Sequence, residues 1–549
     1  MKPNTITNML VFSLLTTLFI GRLNAQNLVA DIDSVIKNKY TERQPGATVL
    51  VYKKGEILYR KGIGLANVEL AVPMRAENVF EIGSITKQFT AIAILMLEEQ
   101  GKLSVEDKIT KYVPDYPTNG KTITIHHLLN HTSGIKSYTS MPTFLKNTRV
   151  DMSPAELIDF FKNEPMDFDP GEKFLYNNSG YIILGHIIEV ITKDSYENFV
   201  QQQIFDRLEM DNSYYGSHKM IIKHRANGYQ KNGGTLVNAD YLSLTLPYAA
   251  GSLMSNVDDL LKWQLALNNH TLISKASYEK AINGSTLNNG EKIGYGYGLQ
   301  KGKLQGSKSI SHGGGIFGYT TMGVYLPDED VFVSILSNCN CNPPGDIAFK
   351  IAAIAIGKPF PNKGDAITLS DVQLEKWVGA YEFPNNTVRH ITLDNGKLFS
   401  QRDGGPKFEI FALSPGHFIF EEGNISYKFS MVEGKKQAEF TANETSIGRE
   451  IHKAPSAEKI AVDLSPEVLK QYVGKYGLQP GFVIEVGIED GRIFAQATGQ
   501  DRFEIFAEKV DHFFLKVVAA TIVFHRSDEK EVTGLTLLQN GQEMKGNKL

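Results

Sequence analysis

The chain has 549 residues, of which 42% are hydrophobic and 21% are charged, a composition typical of a folded globular protein. Its 57 basic and 61 acidic residues give a net charge of −4, which excludes the basic surface that nucleic acids or anionic membranes require. Two cysteines are too few for a disulfide scaffold or a cysteine-rich metal module. At roughly 150 residues per domain, the length predicts several domains.

Residues 1–25 have the pattern of a secretory signal peptide. Lys2 supplies a positive charge, an apolar stretch covers residues 9–20, and Ala25 offers a small residue for cleavage. This stretch is too short to span a bilayer, and no later apolar stretch is long enough either. We therefore expect an exported protein, periplasmic or secreted, with no membrane span after signal cleavage. A retained N-terminal anchor is the alternative.

The segment from residue 26 to about residue 360 predicts a mixed α/β domain. We expect an extended hairpin at 47–60 and a long apolar helix at 84–100, which Gly101 ends. Strands near both ends, with helices between them, indicate that the terminal strands share one sheet. Further helices are expected at 124–130, 153–163, 179–192, 195–207 and 256–269, and further strands at 308–311, 318–326 and 330–337.

The last third of the chain contains an ungapped repeat, offset by 95 residues. Trp377–Tyr381 recurs as Tyr472–Tyr476, and Phe408–Ala412 recurs as Phe503–Ala507. Short alternating strands separated by Asn-Gly and Gly-Gly turns predict a small antiparallel β-barrel in each repeat, at 365–455 and 460–549. The aromatic residues of the first repeat are expected in its core: Trp377, Tyr381, Phe399, Phe408 and Phe411.

A candidate nucleophile opens the long apolar helix. The pattern S-x-x-K occurs six times, but only at Ser84 does it follow Phe80-Glu81-Ile82-Gly83 and begin a helix expected to be buried. Lys87 lies one turn further on the same helix face, within reach of the Ser84 hydroxyl. Burial lowers the pKa of a lysine, which allows Lys87 to accept the serine proton.

Two further motifs supply the other parts of such a site. Tyr176-Asn177-Asn178 precedes an apolar helix; a tyrosine beside a lysine relays protons, and the Asn178 amide can hold a substrate carbonyl. His312-Gly313-Gly314 lies between two strands, where glycines let the backbone approach a substrate. A following N–H group, that of Gly315, can join the N–H of Ser84 in an oxyanion hole.

These motifs, in this order, resemble the serine β-lactamase and penicillin-binding protein superfamily, specifically its class C-like D-aminopeptidase, DD-peptidase and esterase branch. The resemblance covers residues 35–345 and implies a helical region beside an antiparallel sheet flanked by helices. The tandem repeats resemble the lipocalin-like barrels appended to D-aminopeptidases and related peptidases.

The resemblance also assigns roles to the motif residues. It makes Ser84 the acylated nucleophile, Lys87 its proton partner, Tyr176 the general base and acid, and Asn178 a binder of the substrate amide. His312 and Gly314 then line the pocket, and the N–H groups of Ser84 and Gly315 form the oxyanion hole.

One departure from the family pattern bears on the substrate. True β-lactamases carry K-T-G where this chain has His312-Gly313-Gly314, and a histidine grips a substrate carboxylate less firmly than a lysine. We therefore expect a serine hydrolase of small amides or esters, above all of peptides that contain D-amino acids. A β-lactamase or a carboxylesterase is the alternative among enzymes, and a catalytically idle binding protein is the alternative outside them. The oligomeric state is open.

We expect neither a cofactor nor a metal. His126, His127 and His131 lack the H-E-x-x-H pattern and a nearby acid at ligand spacing, so structural roles are favoured. Cys339 and Cys341 follow an extended segment, on which an i,i+2 disulfide would have poor geometry. These two cysteines are therefore expected to be free or loosely coupled thiols.

Overall fold

The computed structural model describes residues 28–549 apart from 233, 385–386, 422, 443–444, 455–458, 460, 480–481, 490, 498–501, 517, 519 and 540–541. The predicted signal peptide at 1–25 lies outside the described residues. The chain forms two compact units, which divide between Pro359 and Phe360. Among the described residues, no helix is both long enough and apolar enough to cross a membrane.

The first unit contains a six-stranded antiparallel sheet in the order β10-β11-β12-β13-β1-β2. Its N-terminal hairpin pairs with its last strand, so that Ala47 lies opposite Ser337 and Lys53 opposite Val331. The expectation that the terminal strands share one sheet is thus confirmed. The strands are β1 Ala47–Lys53, β2 Glu56–Ile63, β10 Gln300–Leu304, β11 Ser307–Ile316, β12 Tyr319–Leu326 and β13 Val331–Ser337.

Shorter strands connect this sheet to the helical region. Strand β9 lies between β5 and β6 in a small sheet, while β3 pairs with β4 and β7 pairs with β8. These strands are β3 Leu65–Asn67, β4 Val72–Pro73, β5 Phe80–Glu81, β6 Tyr214–Tyr215, β7 Tyr229–Asn232, β8 Thr235–Asn238 and β9 Leu253–Ser255.

The helix that follows β5 is the centre of the hydrophobic core. This helix, α2, covers Thr86–Glu99, and its residues from Thr86 to Leu97 are all buried. Helix α1 covers 28–37. The remaining helices of the unit are α3 Ile125–Leu129, α4 Pro154–Phe161, α5 Asn178–Thr192, α6 Tyr196–Val200, α7 Tyr248–Gly251, α8 Val257–Asn268, α9 Lys275–Ile282 and α10 Gly345–Ala355.

The second unit consists of two closed eight-stranded antiparallel barrels, each preceded by a short helix. The first contains α11 Asp371–Glu375, β14 Gly379–Phe383, β15 Thr387–Asp394, β16 Lys397–Arg402, β17 Lys407–Ser414, β18 His417–Ile419, β19 Ser426–Val432, β20 Lys435–Thr441 and β21 Thr445–Ile451. The second contains α12 Pro466–Lys470, β22 Gly474–Gln479, β23 Phe482–Glu489, β24 Arg492–Ala497, β25 Arg502–Lys509, β26 His512–Leu515, β27 Ala520–Arg526, β28 Val532–Gln539 and β29 Gln542–Lys548.

The two barrels repeat the same local contacts. The Tyr381 hydroxyl donates to the Trp377 carbonyl at 2.8 Å, and the Tyr476 hydroxyl donates to the Tyr472 carbonyl at 2.7 Å. Each contact joins residues four apart, 95 positions from its counterpart. The sequence repeat therefore corresponds to a structural repeat, as predicted.

The expected barrel core is wrong in part. Trp377 and Tyr381 are buried, but Phe399 and Phe411 are only partly buried and Phe408 is 51% exposed. Successive side chains of a strand point to opposite faces, and here the inward positions belong to smaller neighbours. These inward residues are Leu398, Ser400, Ile410 and Ala412.

The expectation of free thiols is also wrong. Cys339 and Cys341 form a disulfide, with Cα atoms 5.1 Å apart. Strand β13 ends at Ser337 and the chain then turns, so the two cysteines do not lie on an extended segment. The turn brings their Cα atoms into the range that a disulfide spans.

Candidate active site

Ser84 lies in a tight turn between strand β5 and helix α2. A 3₁₀ turn covers Gly83–Ile85, and Gly83 has a φ of +53°. A Cβ atom on this glycine would lie 2.9 Å from the Gly315 nitrogen. A side chain at position 83 is therefore excluded, both by backbone conformation and by the close approach of β11.

Lys87 places its amine beside the Ser84 hydroxyl at the bottom of the site. Its Nζ atom lies 3.2 Å from Ser84 Oγ, 2.8 Å from Asn178 Oδ1 and 2.9 Å from the Ala250 carbonyl oxygen. The side chain is fully buried, and this burial holds the pKa of Lys87 well below its usual range. The amine is therefore able to be neutral and to accept a proton.

Asn178 holds Lys87 from the first turn of helix α5. Its Oδ1 accepts from the lysine, while its Nδ2 donates to Thr139 Oγ1 at 3.0 Å. These two contacts fix which end of the amide faces Lys87. The second N–H of Nδ2 is the group that a substrate carbonyl can use, since an amide nitrogen carries two donors.

Tyr176 is the third predicted residue that the structure brings to this point. Its ring centre lies 4.8 Å from Lys87 Nζ, the atom that itself lies 3.2 Å from Ser84 Oγ. Burial of the phenol raises the pKa of Tyr176, although the residue as a whole is 37% exposed. Because part of its side chain is accessible, Tyr176 lies at the entrance of the site. Because its pKa is raised, it holds its proton at neutral pH.

His131 contacts Tyr176 and the residues on both sides of it. It was not among the predicted site residues. Its Nδ1 accepts from the Asn177 N–H at 3.1 Å, and its carbonyl accepts from the Leu175 N–H at 3.0 Å, so it binds the residues on both sides of Tyr176. The two rings lie 4.3 Å apart between centres. Burial holds the pKa of His131 well below its usual range, so this imidazole is neutral.

The N–H groups predicted for an oxyanion hole lie where β11 meets the Ser84 turn. A Cβ on Gly314 would lie 2.0 Å from the Ile82 carbonyl oxygen, so only glycine permits this approach. At Gly315, in contrast, an added Cβ would meet nothing within 4 Å. The side of Gly315 on which a Cβ would lie is therefore open, and the Gly315 nitrogen lies close to Gly83, the residue before Ser84.

His312 lies in the site with both ring nitrogens engaged by the protein. Nδ1 donates to the Gly313 carbonyl at 2.6 Å, so Nε2, 2.8 Å from the Tyr295 oxygen, accepts from that hydroxyl. Burial lowers the pKa of His312 to about 4. The residue is thus neutral near pH 7 and offers no cation to a substrate carboxylate.

Tyr295 lies in a segment that alternates glycine with tyrosine. The alternation Gly294-Tyr295-Gly296-Tyr297-Gly298 was a visible signal for a backbone that packs closely, and a Cβ on Gly298 would lie 2.7 Å from the Lys87 carbonyl oxygen. The Tyr297 hydroxyl bonds His126, and His127 caps helix α3. Together with the contacts of His131, these partners give the three histidines separate structural environments.

A serine hydroxyl beside a neutral amine, a phenol that keeps its proton, and open backbone N–H groups are the parts that acyl transfer through a covalent intermediate requires. The fold and this site define a serine hydrolase.

Comparison with known proteins identifies its family. The family model described as "Beta-lactamase" matches residues 32–355. The chain belongs to this family, within the superfamily of β-lactamases and penicillin-binding proteins, which confirms the resemblance seen in the sequence. A second model, a domain of unknown function (DUF3471), matches residues 458–548 in the second barrel.

Several relatives share most of this architecture. "Penicillin-binding protein 4*" of Bacillus subtilis is 31% identical over 433 residues, which is 74% of this chain and 95% of that protein. The structure of an octameric penicillin-binding protein homologue from Pyrococcus abyssi matches with a TM-score of 0.55 and 27% identity, covering 77% of this chain and 99% of its own. A D-stereospecific amidohydrolase from a Streptomyces species matches with a TM-score of 0.51 and 25% identity, covering 56% and 94%.

Proposed function

We propose that the protein cleaves amides of D-amino acids or peptides that contain them, through an acyl-enzyme on Ser84. The observation that carries this proposal is the fully buried Lys87 amine, 3.2 Å from the Ser84 hydroxyl. An amine that burial keeps neutral is a base, and it donates hydrogen bonds to Asn178 Oδ1 and to the Ala250 carbonyl oxygen, which leaves its lone pair for the serine.

The proton steps follow from the pKa directions. Lys87 takes the proton of Ser84 as Oγ attacks the substrate carbonyl, and the N–H groups of Ser84 and Gly315 stabilise the oxyanion. Tyr176, which keeps its proton, donates it to the leaving amine and regains one from Lys87. The family resemblance assigns Tyr176 the roles of both base and acid. In the acylation step proposed here, Tyr176 acts only as the acid. A water molecule then releases the acyl group by the reverse proton path.

The D-amino-acid substrate class is supported by two findings. The Streptomyces relative is a D-stereospecific amidohydrolase with the same fold. In addition, His312 is neutral and bonded to Tyr295, so the position where true β-lactamases carry a lysine provides no charge for a β-lactam carboxylate. A carboxylesterase is the second candidate, because an uncharged ester needs no such charge. The intact Ser84 and Lys87 pair disfavours an idle binding protein.

Export belongs to the same proposal. Residues 1–25 carry the features of a signal peptide, and a soluble periplasmic or secreted enzyme fits substrates that contain D-amino acids. N-terminal sequencing of the protein recovered from outside the cytoplasm should begin at Gln26. A first residue of Met1 would contradict cleavage.

The decisive experiment joins a covalent probe to a stereochemical one. A fluorophosphonate should add once to the peptide that contains Ser84, and Ser84→Ala should lose hydrolysis of D-amino acid amides by on the order of 10³-fold or more. Ser277→Ala is the matched control, because Ser277 belongs to another S-x-x-K at the surface and should leave activity unchanged. Labelling at Ser277, or equal rates for D- and L-amides, would contradict the proposal.

A further inference from the structure

A cleft of about 280 Å³ lies beside the segments that lead to Ser84 and follow Gly315, and it plays no part in the proton steps described above. Glu81 is three residues before Ser84, and Phe317 is two residues after Gly315, so both strands that build the site also border this cleft. Its other lining residues come from the segments 218–228 and 238–242 and from β12, and include Arg225, His218 and Tyr241.

Arg225 is held at the wall of the cleft by a buried carboxylate. Its Nη2 donates to Glu81 Oε1 at 2.8 Å and its Nη1 donates to the Ser217 carbonyl at 2.9 Å. Nη2 also lies 3.5 Å from His218 Nδ1, whereas the Tyr319 hydroxyl donates to the Ala226 carbonyl at 2.8 Å. The Glu81 side chain is only 7% exposed, whereas that of Arg225 is 23% exposed. A guanidinium has five N–H donors, so Arg225 keeps donors for a ligand while its partner fixes its orientation.

The catalytic groups decide which part of a substrate reaches this cleft. In the proposed mechanism Tyr176 protonates the leaving group, and its ring centre lies 6.2 Å from that of His312, so we place the leaving group at the His312 end of β11. Gly315 lies further along the same strand, and Phe317 follows it. The acyl group therefore extends in the opposite direction from the leaving group, toward Phe317 and the cleft.

We propose that this cleft is an acyl-group subsite, in which Arg225 binds a carboxylate carried by the acyl part of the substrate. The inference rests on the proposed acyl-enzyme function. Arg225 is the permanent cation among the residues lining the cleft, and it can donate to a carboxylate through the N–H groups that Glu81, Ser217 and His218 leave unused. The substrate class is thus an acyl donor with a free carboxylate, cleaved at an amide or ester on its other side.

The remaining charged groups of the cleft leave this assignment in place. Asp240 lies at the exposed rim, where its Oδ2 accepts from Gln230 at 2.9 Å. His218 donates to the Leu242 carbonyl at 2.9 Å and stacks on Tyr241, with ring centres 4.7 Å apart. These contacts form an aromatic wall beside Arg225, which suits the carbon chain between the carboxylate and the reacting carbonyl.

Three para-nitrophenyl esters with one leaving group test the proposal on the full-length protein. The acyl parts are hexanoate, the half-ester of adipate with its free carboxylate, and ε-aminohexanoate with its ammonium. We expect kcat/KM for the adipate half-ester to exceed that for hexanoate by about 10- to 100-fold, the range for a hydrogen bond to a charged group. Equal values for these two esters, or a preference for the ammonium ester, would overturn the proposal.

Variants locate the preference. The double variant Glu81→Gln/Arg225→Gln removes both charges and leaves no buried carboxylate unpaired, and it should hydrolyse the half-ester and hexanoate equally well. Arg225→Lys should keep part of the preference. The matched control Arg60→Gln/Asp258→Asn removes another partly buried ion pair, joined at 2.6 Å, and should keep the full preference.

The same series separates this inference from the proposed function. If Ser84→Ala still hydrolyses the hexanoate ester, the acyl-enzyme proposal fails. If hexanoate turnover depends on Ser84 but the half-ester preference survives in Glu81→Gln/Arg225→Gln, only the subsite fails.

Discussion

Lys87 in the hydrolase unit and Lys436 in the first barrel lie in different environments. Lys87 in the hydrolase unit is fully buried and bonds neutral partners, with no carboxylate at ion-pair distance among the described residues. In the first barrel, Lys436 donates to the Val378 carbonyl at 2.7 Å and forms an ion pair with Glu450 at 2.9 Å. A barrel lysine is thus paired in the way that stability favours, whereas the site lysine is kept unpaired at a cost in stability. This difference in partners distinguishes a lysine placed for catalysis from a lysine placed for stability.

The largest expected effect comes from replacing each lysine by methionine. Lys87→Met should lower kcat on the order of 10² to 10⁴-fold, because the base is lost, and should raise the melting temperature, because a buried amine is removed. Lys436→Met should instead lower stability by up to about 1 kcal/mol, the scale of an exposed or half-exposed ion pair. Kinetics and thermal unfolding of both variants check this. A destabilised Lys87→Met would remove the contrast between the units.

Glu81 offers a pH test of the same contrast. Burial raises its pKa to about 7 despite the opposing effect of Arg225, from an ordinary value of 4.5. The folded protein therefore holds this proton more tightly than the unfolded chain. The stability that results is present below pH 4.5 and is lost as pH rises toward 7.

Denaturant unfolding at several pH values measures this dependence. Glu81→Gln should flatten the fall in unfolding free energy between these pH values, relative to the unchanged protein. Glu450→Gln in the barrel is the control and should not flatten it. Parallel curves for the unchanged protein and Glu81→Gln would show that Glu81 does not hold its proton as described.

A smaller effect is expected at His131, which we regard as a positioning residue for Tyr176. His131 has a φ of +63°, a conformation that asparagine tolerates, so His131→Asn removes the ring contact without straining the backbone. We expect kcat to fall about tenfold with KM little changed, since only the placement of the acid is affected.

His270→Asn is the matched control for this variant. His270 also has a left-handed φ, of +55°, and its ring also contacts a tyrosine, Tyr278. It should lose a comparable amount of stability without any change in kcat. Equal kcat values for the two variants would assign His131 a purely structural role.

The smallest effect sharpens the comparison within the barrels. Tyr381→Phe and Tyr476→Phe each remove one hydrogen bond to the carbonyl four residues earlier, and each should cost about 1 kcal/mol of unfolding free energy. Because the geometry is the same, the two costs should be similar. A difference of more than about 1 kcal/mol, measured by denaturant unfolding, would show that the repeats are not energetically alike.

The parts of the site that could be predicted from the sequence are those fixed by short spacing. Ser84 and Lys87 meet because a helix brings residues three apart together, and the glycines around them announce close backbone contacts. Tyr176 and Asn178 join them across some 90 residues, which spacing alone cannot reveal and only the family resemblance supplied. His131 was visible but had no local signal for its role.

Each error lies where the local sequence does not determine the three-dimensional arrangement. The alternation of Phe399 and Phe408 with other apolar residues identified strands, but both faces carried hydrophobic side chains, so alternation could not tell which face is inside. The disulfide of Cys339 and Cys341 depends on where β13 ends, and strand ends are poorly specified by local sequence. The Glu81 and Arg225 pair likewise arises from a contact over 144 residues.

The ungapped barrel repeat has a consequence for how this chain folds. Neighbouring stretches that encode the same strand order can exchange strands while they form, a characteristic failure of repeated domains. Phe429 and Phe524 occupy equivalent positions in the two repeats. Phe429 stacks on Tyr427 with ring centres 5.3 Å apart, whereas the residue equivalent to Tyr427 in the second barrel is Ile522. We expect such differences to disfavour the insertion of a strand into the wrong barrel. A strand that carries Tyr427 fits the core of its own barrel, but its larger side chain would overpack the core of the other.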